Sequence, residues 1–301
     1  MVNKQLDIQF GEADGRPLKL DALAPTHVDG PFPTVLWLHG GGWQSGNKRN
    51  AIDGYLLDYL VSSGYLIVSA EYRLSSEATY PAQIHDVKAA IRWLRAESRV
   101  LDVDVDRIVV AGFSAGAHLT ALAATPESVP ALEGNCGSAG VPSNVCAAIA
   151  WAAPTDFLRN PAVEDTALNA LIGEGDVSGE EKLLGGPVRE NPDLAQLANP
   201  CAFASPDGPP VLVIHGTHDE VVPVSQADLL VDACEAAKTS VSYLRIRHGN
   251  HGGWRTGTPY PSDPGPREIE DWIVRFLDRC CRNKGDLGIM GRHTIAAPIP
   301  A

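Results

Sequence analysis

The sequence has no long hydrophobic run and comparatively few basic residues. No stretch approaches the roughly 18 consecutive apolar residues of a membrane-spanning helix, so we expect no transmembrane segment. Lysine and arginine number 24 against 37 acidic residues, which gives a formal net charge of −13. A field of that sign repels phosphate backbones and anionic lipids. We therefore expect no nucleic-acid partner and no membrane partner.

Metal-binding and redox spacings are also absent. None of the six cysteines shows C-x-x-C spacing, and no H-x-x-x-H pattern occurs, so we expect no metal site. We expect free thiols in a reducing compartment, although Cys136 and Cys146 flank a loop rich in Gly, Ser, Pro and Asn and could close it by a disulfide. The first ten residues lack the apolar core of a secretory signal. We therefore expect a cytoplasmic protein.

Short apolar runs alternate with helical patterns along most of the chain. Val35–Leu38 and Ile108–Ala111 are continuous apolar runs, as in strands covered on both faces. Between them, Ile84, Val87 and Ile91 recur at helical spacing. This alternation predicts an α/β fold with a mostly parallel central sheet flanked by helices.

The sequence predicts a single α/β domain over residues 1–282. The more polar beginning of the chain, to about Pro33, is expected to add antiparallel edge strands. Residues 154–210 are rich in Gly, Pro, Asn and Glu with weak periodicity, and we expect a small cap or rim there. Residues 283–301 lack an apolar stripe and are expected to be a disordered tail.

A candidate nucleophile lies in a G-x-S-x-G sequence. Ser114 stands between Gly112 and Gly116, after an apolar run and before a helix-forming one. A nucleophile elbow needs this strand–turn–helix context, and its small flanking residues avoid collisions at the sharp turn.

A glycine-rich loop offers backbone donors for an oxyanion. The sequence H-G-G-G-W occupies residues 39–43 and follows an apolar strand. We predict that the amides of Gly41, Gly42 and Ala115 form an oxyanion hole, because a tetrahedral intermediate needs donors about 3 Å from its oxygen. His39 is expected to support the loop rather than to act as a base.

A serine nucleophile needs a base that is itself oriented by a carboxylate. Asp219 follows the strand-like run Val211–Ile214 and is the preferred acid, with Glu220 and Asp156 as alternatives. The preferred base is His251, which lies in a Gly-flanked loop before the last helical stripe.

Two further histidines and three aromatic residues lie in or beside these loops. His248 is the alternative base, because it lies closer to the end of its strand. His118, one helical turn after Ser114, is expected to be a packed or hydrogen-bonded supporting residue. The aromatic residues Trp43, Phe113 and Trp254 are candidates for lining the substrate pocket, although each could equally belong to the core.

Together these segments resemble the α/β-hydrolase superfamily, and within it the H-G-G-G esterases. That group contains the hormone-sensitive-lipase-like carboxylesterases and the bacterial feruloyl-esterase-like hydrolases. The resemblance covers roughly residues 15–280. The motifs that carry it are H-G-G-G-W at 39–43, A-E-Y-R-L at 70–74, G-F-S-A-G-A-H at 112–118, H-G-T-H-D-E-V-V-P at 215–223 and the glycine-flanked His251.

Two departures favour the smaller, feruloyl-esterase-like group. Only 38 residues precede His39, so no large N-terminal cap is expected, and Phe113 stands where hormone-sensitive-lipase-like enzymes usually have Asp. The same motifs also resemble those of kynurenine formamidases.

The resemblance implies a serine carboxylesterase that acts on short-chain or aryl esters. It implies a Ser114–His251–Asp219 triad, a small-molecule ester as partner, and no cofactor. A feruloyl or acetyl-xylan esterase, a formamidase-type amidase, and a binding protein without catalysis are the alternatives. The sequence leaves the oligomeric state open.

Overall fold

The apolar runs of the sequence form the strands of one mixed sheet. The computed structural model describes residues 2–52, 55–125, 129–164, 177–252, 265–282 and 291–294. Within these ranges nine strands pair in the order β1-β2-β4-β3-β5-β6-β7-β8-β9. Their bounds are β1 (Val2–Ala13), β2 (Arg16–Pro25), β3 (Phe32–Leu38), β4 (Leu66–Ala70), β5 (Val103–Phe113), β6 (Ala147–Trp151), β7 (Val211–Gly216), β8 (Val241–Ile246) and β9 (Gly291–Thr294).

The first two strands form an antiparallel hairpin at one edge of this sheet. Asp14 and Gly15 connect them with positive φ values of 52° and 77°, the conformation that a two-residue hairpin turn requires. β2 then pairs antiparallel with β4, and all later pairs are parallel. The expected antiparallel edge strands are thus present.

Helices cover both faces of the sheet. Alternate residues of β3 point to opposite sides, with Leu36 and Leu38 in one apolar core and Val35 and Trp37 in the other. The helices are α1 (Arg49–Ile52), α2 (Tyr55–Ser62), α3 (Ala82–Ala96), α4 (Ser98–Leu101), α5 (Ala115–Ala123), α6 (Gly179–Leu184), α7 (Pro192–Leu197), α8 (Ser225–Ala237) and α9 (Pro266–Arg282). Residues of α3, α5 and α8 fill the first core, and residues of α2 and α9 fill the second. None of the helices in the described ranges is long and apolar enough to cross a membrane.

The segment 154–210 contributes short helices to the rim of the fold. Its described part contains α6, α7 and several single turns of 3-10 helix, and no strand. Leu183 and Leu184 of α6 are buried in the first core, and the carbonyl of Leu197 accepts a hydrogen bond from Tyr80 at 2.9 Å. The segment is therefore packed onto the domain. That it caps the site remains a prediction.

The expected disordered tail needs one correction. Residues 291–294 form β9, which pairs in parallel with β8, from Ser242 opposite Gly291 to Arg245 opposite Thr294. The physical reason is that the outer edge of β8 presents backbone N–H and C=O groups that an added strand can satisfy. A short edge strand of this kind has no apolar stripe by which the sequence could reveal it.

Candidate active site

Ser114 lies on a strained turn between β5 and α5. Its φ of 55° and ψ of −122° fall outside the regions that L-residues favour, and its amide donates to the carbonyl of Trp151 at 2.8 Å. The flanking glycines are required by close backbone approach. A Cβ at Gly112 would lie 2.5 Å from the carbonyl oxygen of Gly116, and one at Gly116 would lie 2.2 Å from that of Leu38.

The loops after β7 and β8 bring an acid and a base to this serine. Nε2 of His251 lies 3.0 Å from Oγ of Ser114, and Nδ1 of His251 lies 2.8 Å from Oδ2 of Asp219. Because an ionised carboxylate only accepts hydrogen bonds, Nδ1 carries the proton in neutral His251 and Nε2 is left to accept from the serine hydroxyl. This arrangement can activate a hydroxyl nucleophile.

The Asp219 carboxylate is fixed at both oxygens. Oδ1 accepts from the amides of Val221 at 2.9 Å and Val222 at 2.8 Å, which leaves Oδ2 for the histidine. Burial alone would raise the pKa of Asp219, but hydrogen bonds from His215 and His251 outweigh it and hold that pKa below its usual range. The group is thus poised to stay ionised while His251 gains a proton.

The alternative acids and base lie elsewhere. Glu220 is exposed, and the backbone of Asp156 is held by the Gln226 side chain at 2.8 Å. The ring of His248 packs beside that of His218, with centroids 5.0 Å apart. Of the acids and bases considered from the sequence, the structure joins Asp219 and His251 to Ser114.

The glycine-rich loop after β3 lies against the serine. A Cβ at Gly40 would come within 3.3 Å of Cβ of Ser114, and Gly41 and Gly42 have positive φ values of 120° and 58°. His39 stacks on Tyr72 with ring centroids 4.3 Å apart, and the Tyr72 hydroxyl donates to the His39 carbonyl at 2.8 Å. The expectation that His39 supports the loop is confirmed.

A cleft of about 400 Å³ opens beside this loop. Phe113 lines it, and its ring centroid lies 4.9 Å from that of His251. The remaining lining residues are Trp37, His39, Gly40, Gly41, Ser45, Gly46 and Asn50. An ester bound there would lie next to the predicted oxyanion donor Gly41.

Trp43, a second aromatic candidate, does not line this cleft. Trp43 is only 2% exposed and packs edge-on against His118 and Phe157 in the core. Of the two interpretations that the sequence left open for Trp43, the structure shows the core contact and not the substrate contact. Trp254 lies outside the described residues.

His118 behaves as the sequence predicted. It is fully buried, and its Nε2 lies 2.7 Å from the carbonyl of Ala198. Burial lowers the pKa of His118 to about 4, so the ring is neutral near pH 7.

Sequence reasoning missed a second histidine at the acid. His215 lies at the end of β7 with its Nε2 3.2 Å from Oδ2 of Asp219. The sequence separation of His215 and Asp219, only four residues, is consistent with their contact. The contact forms because the turn between them folds back on the end of β7.

The structure also places the thiols that the sequence left open, and all six are free. Cys136 contacts the carbonyl of Glu12 at 3.2 Å, whereas the sulfur of Cys146 lies 3.8 Å from that of Cys281. A Cys136–Cys146 bridge is therefore not what the structure favours, because Cys146 faces α9 instead of the loop. In the described part of the chain, no three His, Cys, Asp or Glu side chains converge as metal ligands.

Comparisons with known proteins agree with this geometry. The family model BD-FAE matches residues 20–234. The probable carboxylic ester hydrolase LipM of Mycobacterium tuberculosis is 32% identical over 248 residues, which cover 81% of this chain and 55% of that protein. The chain thus spans about half the length of the curated relatives it matches.

Two solved structures are similar over nearly the whole chain. A truncated carbohydrate esterase from gut microbiota has a TM-score of 0.74 and 26% identity, and the match covers 93% of this chain and 96% of that one. The bifunctional GH43-CE protein of Bacteroides eggerthii has a TM-score of 0.75 and 28% identity, over 92% of this chain and 38% of that one.

Proposed function

Because the chain belongs to the BD-FAE family and has the α/β-hydrolase fold, we propose that it is a serine carboxylesterase working through an acyl-enzyme intermediate. One observation carries the proposal. A continuous chain of hydrogen bonds runs from Asp219 through His251 to Ser114, with distances of 2.8 and 3.0 Å. Names of relatives such as the ester hydrolase LipM support the same chemistry.

In the proposed mechanism, Oγ of Ser114 attacks the ester carbonyl while Nε2 of His251 takes the hydroxyl proton. Asp219 stabilises the resulting imidazolium, and His251 then gives the proton to the leaving alcohol. Water, activated by the same histidine, releases the acid. The oxyanion of each tetrahedral intermediate is held by the amides of Gly41, Gly42 and Ala115, each donor typically worth a factor of about 10²–10³ in rate.

The proposed substrate is a small ester with a short-chain or aryl acyl group. The cleft beside the glycine-rich loop has a volume of about 400 Å³ and has Phe113 and Trp37 among its walls. A cleft of this size can hold a short acyl chain or one ring, and its aromatic walls suit an aryl group. The cytoplasmic location stays a prediction.

A carbohydrate ester is the second candidate substrate, as in a feruloyl or acetyl-xylan esterase. The two similar solved structures named for carbohydrate-ester chemistry favour it. The test measures turnover per active site on feruloylated or acetylated xylan and on p-nitrophenyl acetate. Faster turnover on xylan would favour this candidate over a general esterase.

The deciding test compares wild type with Ser114→Ala on p-nitrophenyl esters from acetate to palmitate. We expect kcat/KM to fall by roughly 10⁴-fold or more in the variant, because triad nucleophiles contribute on that scale. Short esters should be the better substrates. Equal activity of the two proteins would refute the serine mechanism. Activity confined to N-formyl amides would favour the formamidase alternative.

A further inference from the structure

His215 shares the acid of the site with His251. It is fully buried, and its Nε2 lies 2.9 Å from the carbonyl of Val222 as well as 3.2 Å from Oδ2 of Asp219. Asp219 therefore receives two backbone donors on Oδ1 and the His251 donor on Oδ2, while Nε2 of His215, which is hydrogen-bonded to the Val222 carbonyl, also lies within ion-pair distance of Oδ2.

The surroundings of His215 fix its proton. Both neighbours of Nε2 are acceptors, so Nε2 carries hydrogen and shares it between them. Nδ1 is buried and has no hydrogen-bond partner among the described residues.

We propose that His215 is a positioning residue that holds the Asp219 carboxylate toward His251 by donating a second hydrogen bond to Oδ2. This rests on the proposed function. His215 does not line the cleft, so it acts through Asp219 and not on the substrate. Its hydrogen bond moderates the basicity of Oδ2 and stops the carboxylate from tilting away from His251.

Removing the donor has two expected consequences. A carboxylate with one donor fewer tilts more easily, so kcat should fall by about 10–100-fold while KM stays within about two-fold, as positioning defects act on the reacting geometry. Oδ2 also becomes a stronger acceptor for His251, which stabilises the imidazolium. The acid limb of the pH–rate profile should therefore move to higher pH.

The test compares His215→Phe, which lacks a donor, with His215→Gln, whose amide nitrogen can reach the same place. We expect the phenylalanine variant to show the kcat loss and the displaced acid limb, and the glutamine variant to recover most of both. If His215→Phe does not fold, His215→Met supplies the same comparison. If His215→Gln and His215→Phe lost the same amount of kcat and neither shifted the acid limb of the pH–rate profile, the proposal would be overturned.

A second pair of variants separates this proposal from the proposed function. Adding His215→Phe to Asp219→Asn should cost little further activity, since the carboxylate it positions is already gone. An undiminished effect in that background would assign His215 a purely structural role. Failure of the serine mechanism itself would appear independently, as unchanged activity of Ser114→Ala.

A different observation concerns the thiols of Cys146 and Cys281. Cys146 is half-buried just before β6, and Cys281 is 5% exposed in the last turn of α9. Their sulfurs lie 3.8 Å apart across one apolar core. To form a disulfide bond of about 2.05 Å, the two sulfurs must approach each other by about 2 Å.

We infer that Cys146 and Cys281 form a site of reversible disulfide modification with small disulfides such as oxidised glutathione. The Cys146 thiolate attacks one glutathione sulfur and releases one reduced glutathione. The Cys281 thiolate then attacks Sγ of Cys146 and expels the second, so two protein thiols are oxidised as one glutathione disulfide is reduced. A hydrogen bond from Cys281 lowers the pKa of Cys146, which favours it as the first nucleophile.

Incubation with oxidised glutathione tests the pair. Wild type and the adjacent control Cys280→Ser should each lose two thiols, retain no glutathione and gain several degrees in Tm, because the bridge closes a loop spanning 135 positions. Cys146→Ser and Cys281→Ser should form no internal bridge. A bridge of equal yield in Cys281→Ser, a Cys136–Cys146 bridge, or only a stable glutathione adduct in wild type would overturn the inference.

Discussion

At the scale of single residues, hydrogen-bond partners decide what each polar side chain near Ser114 can do. The same amino acid is a candidate base at His251, where it links a carboxylate and a hydroxyl, and a buried neutral donor at His118. Asp219 is distinguished from the neighbouring Glu220 by two backbone amides and two imidazoles. These differences lead to two predictions about substitutions.

Asp219→Asn should lower kcat by about 10³–10⁴-fold. The amides of Val221 and Val222 occupy Oδ1, so the asparagine oxygen takes that place and its NH₂ group faces His251. Nδ1 must then accept, the proton moves to Nε2, and the ring can no longer take the serine proton. Steady-state kinetics on p-nitrophenyl acetate measures this. Glu220→Gln and Asp156→Asn are the matched controls, and a comparable loss in either would move the acid to that residue.

His118 should make the fold less stable in mild acid. Its pKa is about 4 in the folded chain against an ordinary value of 6.5, so between these values the unfolded chain binds a proton that the folded chain excludes. The free energy of unfolding should therefore fall as pH decreases from about 6.5 to about 4, by up to about 3 kcal/mol.

Urea unfolding of wild type and His118→Gln at several pH values measures this contribution. Gln preserves a donor toward Ala198 without a titrating ring, so its unfolding free energy should depend less on pH in that window. His27→Gln is the control, because His27 is exposed and its substitution should leave the dependence unchanged. Parallel pH curves for wild type and His118→Gln would contradict the prediction.

At the scale of elements, three segments meet around the serine. The segment after β4 holds the loop after β3, because Tyr72 stacks on His39 and donates to its carbonyl. α5 approaches the same loop so closely that Gly116 lies against the carbonyls of Leu38 and His39. The geometry of the loop thus depends on packing between elements as much as on its glycines.

Gly116→Ala should therefore disrupt both stability and activity. A Cβ there would lie 2.2 and 2.5 Å from two backbone oxygens that no side-chain rotation can move. We expect a loss of at least about 2 kcal/mol in the free energy of unfolding, on the scale of overpacked cores, and a fall in kcat as α5 is displaced.

Gly265→Ala is the matched control for this substitution. A Cβ at Gly265 meets nothing within 4 Å, and the change should be nearly neutral. Chemical unfolding and steady-state kinetics of the two variants measure the difference. A neutral effect of Gly116→Ala would contradict the close approach of α5 to the carbonyls of Leu38 and His39.

The sequence predicts features that neighbouring residues encode, and it does not predict contacts between residues that are far apart along the chain. The α/β-hydrolase fold is confirmed, because buried strands read as apolar runs and Ser114 follows one of them. The sequence leaves Trp43 open between the pocket and the core, because its packing against His118 and Phe157 joins segments that are distant along the chain. The approach of Cys146 to Cys281 joins residues 135 positions apart, and no local pattern encodes it.

At the scale of the whole molecule, a cluster of ion pairs around the buried Lys48 links the N-terminal hairpin to the rest of the domain. Nζ of Lys48 lies 2.9 Å from Asp7 on β1, 2.9 Å from Glu71 after β4 and 3.9 Å from Asp21 on β2. The Asp21 side chain is fully buried, and that of Lys48 is only 6% exposed. Since Lys48 follows the glycine-rich loop, this cluster couples the sheet edge to the site.

Lys48→Met should lower the free energy of unfolding by about 3 kcal/mol. The substitution keeps the apolar stem but removes the cation that Asp21 and Glu71 share, so Asp21 keeps only Arg49 and Glu71 keeps only Arg16 as an ion-pair partner. Loss of a buried cation from such a group is costly. The loop after β3 also loses its anchor, so kcat should fall with little change in KM.

Arg99→Met, which removes an exposed cation, is the control and should be nearly neutral. Urea unfolding and kinetics at low and high salt measure both effects, and salt should change the Lys48 effect little because buried charges are weakly screened. If Lys48→Met were as stable as wild type, the prediction would be wrong, and Arg49, whose Nε lies 3.4 Å from Asp21, would be sufficient to neutralise the Asp21 carboxylate.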